Sequence, residues 1–430
     1  MIGVRRQTQI YLDGVSGRRP RVPLDAGRLE DLAQRRMPRD AFAYVAAGAG
    51  QERTIAANRT AFDRWRIVPR VLRDVEQRDT SVELFGQRLP SPFLLAPVGV
   101  LELAHPEADC AVARAARDTG TGMVFSNQAS APMEGVSRIL ADTPHWFQLY
   151  WSRSDELVES LAGRAERCGC RAIVITLDTT MLGWRTRDLE GAFLPFMYGK
   201  GLAQYTSDPV FKRLITEQPS APPEQEPRPT LAALRALITL TRAYPDSFWR
   251  TLASGRGRAA VQRFTEIYSR PSLTWETLAF LRERTDLPIL LKGILHPDDG
   301  ARAVEEGMNG VIVSNHGGRQ VDGAIATLDA LPAVIEAVDG RIPVLLDSGV
   351  RGGADIFKAL ALGARAVLIG RPYVYALGIA GRAGVRELLL NLAADFDLTM
   401  GLAGCRSVTD IGRDSIVPAP GPARMAPTAM

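Results

Sequence analysis

Gly310-Val311-Ile312-Val313-Ser314-Asn315-His316-Gly317-Gly318-Arg319-Gln320 is an apolar run that turns abruptly polar and glycine-rich. Its apolar half predicts a short buried strand, which places His316 and Arg319 just past a strand's C-terminal end. A histidine and an arginine three apart on such a turn can face one small anion together. The guanidinium can fork onto a carboxylate, and the imidazole is a base that titrates near neutral pH. An isolated His-x-x-Arg is also common in ordinary loops, so its meaning depends on the rest of the chain.

The same pattern of apolar run and helical stretch recurs along the sequence. Strands are predicted over 93–99, 122–127, 146–150, 172–178, 288–294, 310–315, 343–350 and 366–372. Helical spacing lies between them, over 106–119, 154–168, 273–285, 297–306, 328–338 and 352–362. Continuous apolar strands alternating with helices imply a parallel sheet covered by helices, and eight such units imply a closed (β/α)8 TIM barrel. A doubly wound open sheet competes, but no Gly-x-Gly-x-x-Gly follows the first strand.

Residues 1–92 read as an N-terminal helical segment packing on the barrel, with helices over 28–36 and 40–48 and Pro38 at a helix start. The barrel proper spans 93–406. It includes a long insertion after the fourth strand, about 186–272, placed to act as a lid. Within it Leu231–Tyr244 reads as an amphipathic helix. With only Arg235 and Arg242 it suits a lid or subunit contact better than a membrane surface. The stretch Gln218–Pro229 is too rich in proline for regular structure. Residues 407–430 read as a largely disordered tail.

Composition narrows the function classes. Apolar residues make up 46% of the 430, enough for a large core, and no apolar run approaches the ~18 residues of a membrane span. The N-terminus lacks a secretory apolar segment. The cysteines Cys110, Cys168, Cys170 and Cys405 are too few and irregular for a disulfide framework. Cys168-Gly-Cys170 has no partner pair, so no metal site is expected and the chain reads as reduced and cytoplasmic. A net charge of +4, spread without a basic stripe, gives no support to nucleic-acid binding.

In a (β/α)8 barrel the polar residues at the strands' C-terminal ends surround the active site. Those ends read, in order, Ala96-Pro97-Val98-Gly99; Ser126-Asn127; Gln148-Leu149-Tyr150; Thr176-Leu177-Asp178 with Arg185 beyond; Lys292-Gly293; Ser314 through Arg319; Asp347-Ser348-Gly349-Val350-Arg351; and Gly370-Arg371. Small residues at the first end would let a flat ring lie against backbone. The last two ends combine glycine-rich turns, helix starts and two arginines, the usual phosphate site of such barrels.

From about Pro38 to Arg406 the chain resembles the FMN-dependent L-2-hydroxy acid oxidase/dehydrogenase family, whose signature is the Ser-Asn-His-Gly-Gly-Arg-Gln run. The resemblance implies FMN as cofactor and a role for each matching residue. His316 would be the base, Asp178 the carboxylate that orients it, and Arg319, Arg185 and Tyr44 the clamp on the substrate carboxylate. Tyr150 would contact the substrate hydroxyl and Lys292 the flavin edge where charge develops. Gln148 and Thr176 would bind flavin, with Ala96, Pro97, Val98, Gly99, Ser126 and Ser314 lining its site. Asp347, Gly349, Arg351, Gly370 and Arg371 would hold the ribityl and phosphate groups.

Trp184-Arg185-Thr186-Arg187-Asp188-Leu189, then Leu194-Pro195-Phe196, Ser207-Asp208-Pro209-Val210-Phe211 and Lys292 through Asp299, are similar to the lactate 2-monooxygenase branch of that family. This implies oxidation of a lactate-type acid with O2, oxidative decarboxylation of the 2-oxo acid, and a homo-oligomer, tetramer or octamer. A simple oxidase releasing H2O2 and a dehydrogenase using another acceptor stand as alternatives on the same scaffold. A barrel that binds FMN or a phosphate without oxidising anything is the alternative of a different class.

Overall fold

Every apolar run becomes a strand where its neighbours can cover it on both sides. The computed structural model describes residues 2–217 and 228–420. Its strands, in chain order, are β1 (Trp65–Ile67), β2 (Val82–Leu84), β3 (Gln87–Leu89), β4 (Phe93–Leu95), β5 (Gly122–Phe125), β6 (His145–Leu149), β7 (Ile173–Thr176), β8 (Ile289–Ile294), β9 (Gly310–Val313), β10 (Val344–Leu346), β11 (Ala366–Ile369) and β12 (Ile416–Pro418). β4 to β11 close into a parallel barrel, β11 pairing back onto β4 through Val367↔Phe93 and Ile369↔Leu95. The chain is a TIM barrel, as the alternation of strand and helix predicts.

Strand alternation divides the barrel's side chains into two cores. Leu94, Val124, Trp146, Val174, Leu290, Ile312, Leu345 and Leu368 fill the interior. Their alternates, such as Phe93, Phe125, Phe147, Ile175, Val313 and Ile369, face the surrounding helices. Several helices have no counterpart among the sequence predictions, three of them packing on the barrel. These are Met133–Leu140, Arg53–Asp63 and the long Arg371–Leu402, which breaks at Ala380 and Gly381 and packs against Ile2–Val15 and Ala108–Thr119.

Two expectations about the ends need correction. The segment before the barrel is not wholly helical: β2 and β3 form an antiparallel hairpin through Phe85 and Gly86, both at positive φ. Its residues Val82, Leu84 and Leu89 join the interior core, and Phe85 meets the Trp146 ring edge-on at 5.5 Å. The alternation in Val82-Glu83-Leu84-Phe85-Gly86-Gln87-Arg88-Leu89 carried this signal. Residues 407–420, expected to be part of a disordered tail, are ordered. β12 pairs antiparallel with β1, and Ile416 is buried there. Residues 421–430 and nearly all of the proline-rich stretch lie outside the described residues.

The insertion leaves β7 and returns at β8. It contains the helices Thr186–Glu190, Ala203–Ser207, Pro209–Glu217, Leu231–Ala243, Phe248–Ser254 and Arg256–Ile267. Phe196, Tyr205, Phe211 and Phe264 form its buried aromatic centre. Arg164, on the helix that follows β6, ties it to the barrel by bonding Gln204 O at 2.8 Å and Asp208 at 3.1 Å. No helix among the described residues is long and apolar enough to cross a membrane.

Candidate active site

Counting two residues onward from each interior core position gives Ala96, Ser126, Gln148, Thr176, Lys292, Ser314, Asp347 and Gly370. The strand period therefore aims all of them inward at the C-terminal mouth of the barrel. A cleft partly open to solvent lies there. It is lined from the barrel by Ala96 to Gly99, Tyr150, Lys292, His316, Arg319, Asp347, Gly349, Arg351, Gly370 and Arg371, and from outside by Tyr44 and Arg185. Ser126, Gln148, Thr176, Asp178 and Ser314 stand just behind that wall.

His316 holds a positive φ of 56°, in a turn where the Asn315 side chain accepts from Gly318 N. Its Nδ1 lies 2.7 Å from Asp178 Oδ1, to which Thr179 Oγ1 also donates at 2.9 Å. Asp178 reaches this position because residue 293 is glycine. A β-bulge interrupts β8 between Lys292 and Ile294, Gly293 sits at φ 111°, and a Cβ there would come within 2.9 Å of Asp178 Cβ. Burial opposes the charge on Asp178, but His316 and Lys292 outweigh it and hold the carboxyl at about 2. Burial pulls the His316 imidazole below its ordinary range in spite of Asp178, with Lys292 and Arg185 adding to the pull. An ionised Asp178 can only accept, so Nδ1 carries the proton and Nε2 is left as the basic nitrogen.

Lys292 Nζ donates to Ser314 Oγ at 2.9 Å and pairs with Asp347 at 3.2 Å. Burial works against its charge, yet Asp347 and Asp178 raise its pKa above the usual lysine value. Burial, reinforced by Asp178, pushes the Tyr150 phenol well up, so it stays a neutral O–H donor.

Four guanidiniums border the cleft, and none forms an ion pair among the described residues. Arg319 donates to Tyr44 O and Ala47 O at 2.7 and 2.8 Å and lies 5.0 Å from the Tyr44 ring centroid. Arg185 reaches Gln320 Oε1 at 3.0 Å, and Gln320 in turn donates to Asp178 O at 2.7 Å. Arg371 donates to the carbonyls of Val45, Gly317 and Ala47. Burial and the Arg185 charge bring Arg319 down to about 9; burial and Arg371 bring Arg351 down to about 10. Cations that crowd one another without a directly ion-paired carboxylate make a site for anions. Arg185 acts on His316 and on Arg319, Arg319 shares the Ala47 carbonyl with Arg371, and Arg351 and Arg371 follow β10 and β11.

The residues fit FMN. Gln148 Oε1 accepts from Ser126 Oγ and Asn127 N, which turns its Nε2 into a buried donor without a partner. Thr176 Oγ1 is likewise buried and unpartnered. Two orphaned groups at the ends of β6 and β7, just behind the cleft wall, are what a bound heterocycle would satisfy. Ser126 and Ser314, expected to touch the cofactor, have their hydroxyls engaged with protein groups, Ser314 with Lys292 and His316 N. The helix start at Gly353, expected to help hold phosphate, gives its amide to Asp395.

Sequence reasoning missed several members of the site. Thr179 and Ser348 brace Asp178 and Asp347, and Ser348 also accepts from Gly317 N at 2.9 Å. Their adjacency to those aspartates was the available signal. Leu182, Phe196 and Tyr268 line the cleft from the insertion, and no local pattern marks them.

Residues 33–418 match the family described as FMN-dependent dehydrogenase. The chain is 39% identical over 408 residues to an L-lactate oxidase of Lysinibacillus sphaericus, covering 95% of this chain and 96% of that one. It is 41% identical over 409 residues to the FMN-dependent alpha-hydroxy acid dehydrogenase qulF of Penicillium citrinum, covering 95% and 94%. A crystal structure of mandelate oxidase with (S)-2-phenylpropionate superposes with a TM-score of 0.73 at 36% identity, covering 93% of this chain and 99% of that one.

Proposed function

The chain belongs to the FMN-dependent dehydrogenase family, and from that premise we propose that it oxidises the α-carbon of lactate-type L-2-hydroxy acids with O2 as the final acceptor. FMN-dependent oxidation of a 2-hydroxy acid is the family's chemistry; the acceptor, the handedness and the residue roles are our reading. The observation that carries it is the His316–Asp178 pair, 2.7 Å apart, in the same cleft as the unpaired Arg185 and Arg319.

Arg319, Arg185 and the Tyr44 hydroxyl would hold the substrate carboxylate. That leaves the α-hydroxyl toward His316 Nε2 and Tyr150. His316 Nε2 would take the hydroxyl proton, and Asp178 would stabilise the imidazolium so formed. FMN, when bound, supplies the acceptor for the two electrons and the α-hydrogen that leave carbon. Gln148 and Thr176 would bind its ring, Lys292 would offer a cation to its edge, and Arg351 and Arg371 would hold its phosphate. The insertion covers the mouth with Leu182, Phe196 and Tyr268, so a 2-oxo acid would be retained beside the peroxide formed from O2. Peroxide then cleaves it: pyruvate and H2O2 become acetate, CO2 and water.

An anaerobic screen of L-2-hydroxy acids for bleaching of the bound flavin tests the oxidation. A stopped aerobic reaction with L-lactate tests the product. Acetate without peroxide supports the monooxygenase course, pyruvate with peroxide reduces the reading to a simple oxidase, and no bleaching by any acid overturns it.

A further inference from the structure

The residues assigned so far all concern the head of the substrate, the part that every 2-hydroxy acid shares. One further polar residue of the cleft, Gln128, has no part in holding that head. It follows β5, is only 8% exposed and lines the cleft. Its backbone is fully used: the amide donates to Ser126 Oγ at 3.0 Å and the carbonyl accepts from Val100 N at 2.9 Å. Its side-chain carboxamide has no hydrogen-bond partner among the described residues.

Two segments close on it. A Cβ on Gly99 would lie 3.0 Å from Gln128 Cβ, so the end of β4 comes close to it only because residue 99 is glycine. A Cβ on Gly201, in the insertion, would lie 3.0 Å from Gln128 O and 3.3 Å from the Phe196 ring. Gln128 therefore stands where the barrel rim meets the insertion. Phe196 packs on Phe264 at 5.1 Å, and Phe264 stacks on Tyr268 at 5.0 Å, giving the cleft an apolar aromatic wall beside one polar group.

A carboxamide that lines the cleft and makes no hydrogen bond to the described residues is available to a ligand's hydrogen-bonding group, and such a pairing discriminates against analogues that lack it. We propose that Gln128 is a specificity-determining residue that hydrogen-bonds a hydroxyl on the substrate's side chain. The preferred substrates would be L-2-hydroxy acids larger than lactate, with an apolar body against Phe196 and Tyr268 and a hydroxyl beyond it. This rests on the oxidation proposed above.

The test compares wild-type holoenzyme with Gln128→Leu, which keeps the size and removes the amide, in anaerobic flavin reduction. Two matched pairs of probes place the hydroxyl at different reach: L-2-hydroxybutyrate against L-2,4-dihydroxybutyrate, and L-mandelate against L-4-hydroxymandelate. In at least one pair the wild type should favour the hydroxylated acid in kcat/KM by about tenfold, the factor carried by one net hydrogen bond. Gln128→Leu should abolish that preference while FMN content and reduction by L-lactate stay unchanged. No preference in the wild type, or a preference that survives in Gln128→Leu, overturns the assignment. Failure of every acid to reduce the wild-type flavin would instead overturn the oxidation itself.

Discussion

The cleft has two walls built on different principles. The barrel wall is a set of strand ends whose side-chain directions follow from a two-residue period and a closed ladder of backbone hydrogen bonds. The insertion wall is a set of aromatic rings, Phe196, Phe264 and Tyr268, positioned by packing between short helices. The first wall carries every charged group that the proposed chemistry uses, apart from Arg185. The second, Arg185 aside, carries aromatic and aliphatic surface with the Tyr268 hydroxyl. A rigid ladder suits groups that must meet a proton at one distance, and helices on a long connection suit a wall that differs between substrates. If this division holds, damage to the barrel wall should stop turnover, and damage to the insertion wall should change stability and selectivity.

The largest effect is expected for His316→Ala, which should slow flavin reduction by about 10²–10⁴-fold, the usual value of a general base. Flavin content should remain near wild type, because the phosphate and ring contacts lie elsewhere. Stopped-flow reduction with L-lactate, alongside the flavin-to-protein absorbance ratio, checks both. Reduction at the wild-type rate would remove His316 from the role of base.

Asp178→Asn should slow reduction by about 10²-fold, since the imidazole loses its orientation and its counter-charge. It also makes a pH prediction. The reactive form of His316 is neutral, so activity is present above its pKa and lost as pH falls through it. Burial already lowers that pKa, and Asp178 is the group that opposes the fall. The acid limb of the reduction profile should therefore lie below the ordinary imidazole range in wild type and move to still lower pH in Asp178→Asn. A limb that moves to higher pH would contradict the pairing.

A smaller loss is expected for Arg319→Lys. The charge survives but the two-pronged geometry does not, so kcat/KM for L-lactate should fall by about 10- to 100-fold, from the ~1.5–3 kcal/mol of a charge-assisted hydrogen bond. Steady-state kinetics would show it, and an unchanged KM and rate would place the carboxylate elsewhere.

Phe264→Ala, in the centre of the insertion, should affect activity least. Removing a fully buried ring costs about 3–5 kcal/mol of packing, so the thermal midpoint should drop. Reduction by L-lactate should nevertheless stay close to wild type, because no group of the barrel wall depends on that ring. A large loss of reduction rate with flavin still bound would show that the two walls are not separable.

The contrast between the walls also explains what could be read in advance. Every barrel strand was legible, because each needs only a short apolar run bounded by polar residues, and strand alternation then places Gln148, Thr176 and Lys292 at the mouth. The hairpin before the barrel and the pairing of Ile416 with Ile67 were not. Ile416–Pro418 is too short to stand out until Trp65–Ile67, far away in the chain, pairs with it, and the alternation in Val82–Leu89 acquires its meaning only where the barrel interior covers it.

The sequence by itself determined the eightfold alternation, the identity of the mouth residues and the His316–Arg319 turn, since each depends on local periodicity and turn chemistry. Only the tertiary structure decided that Gly293 makes room for Asp178 beside His316, that Gln148 and Thr176 are left with unpaired polar atoms, and that Gln128 and Phe196 both border Gly201 at the seam with the insertion. Those are contacts between segments tens of residues or more apart. Their distances follow from how the barrel closes and how the helices pack, which no local pattern in the chain contains.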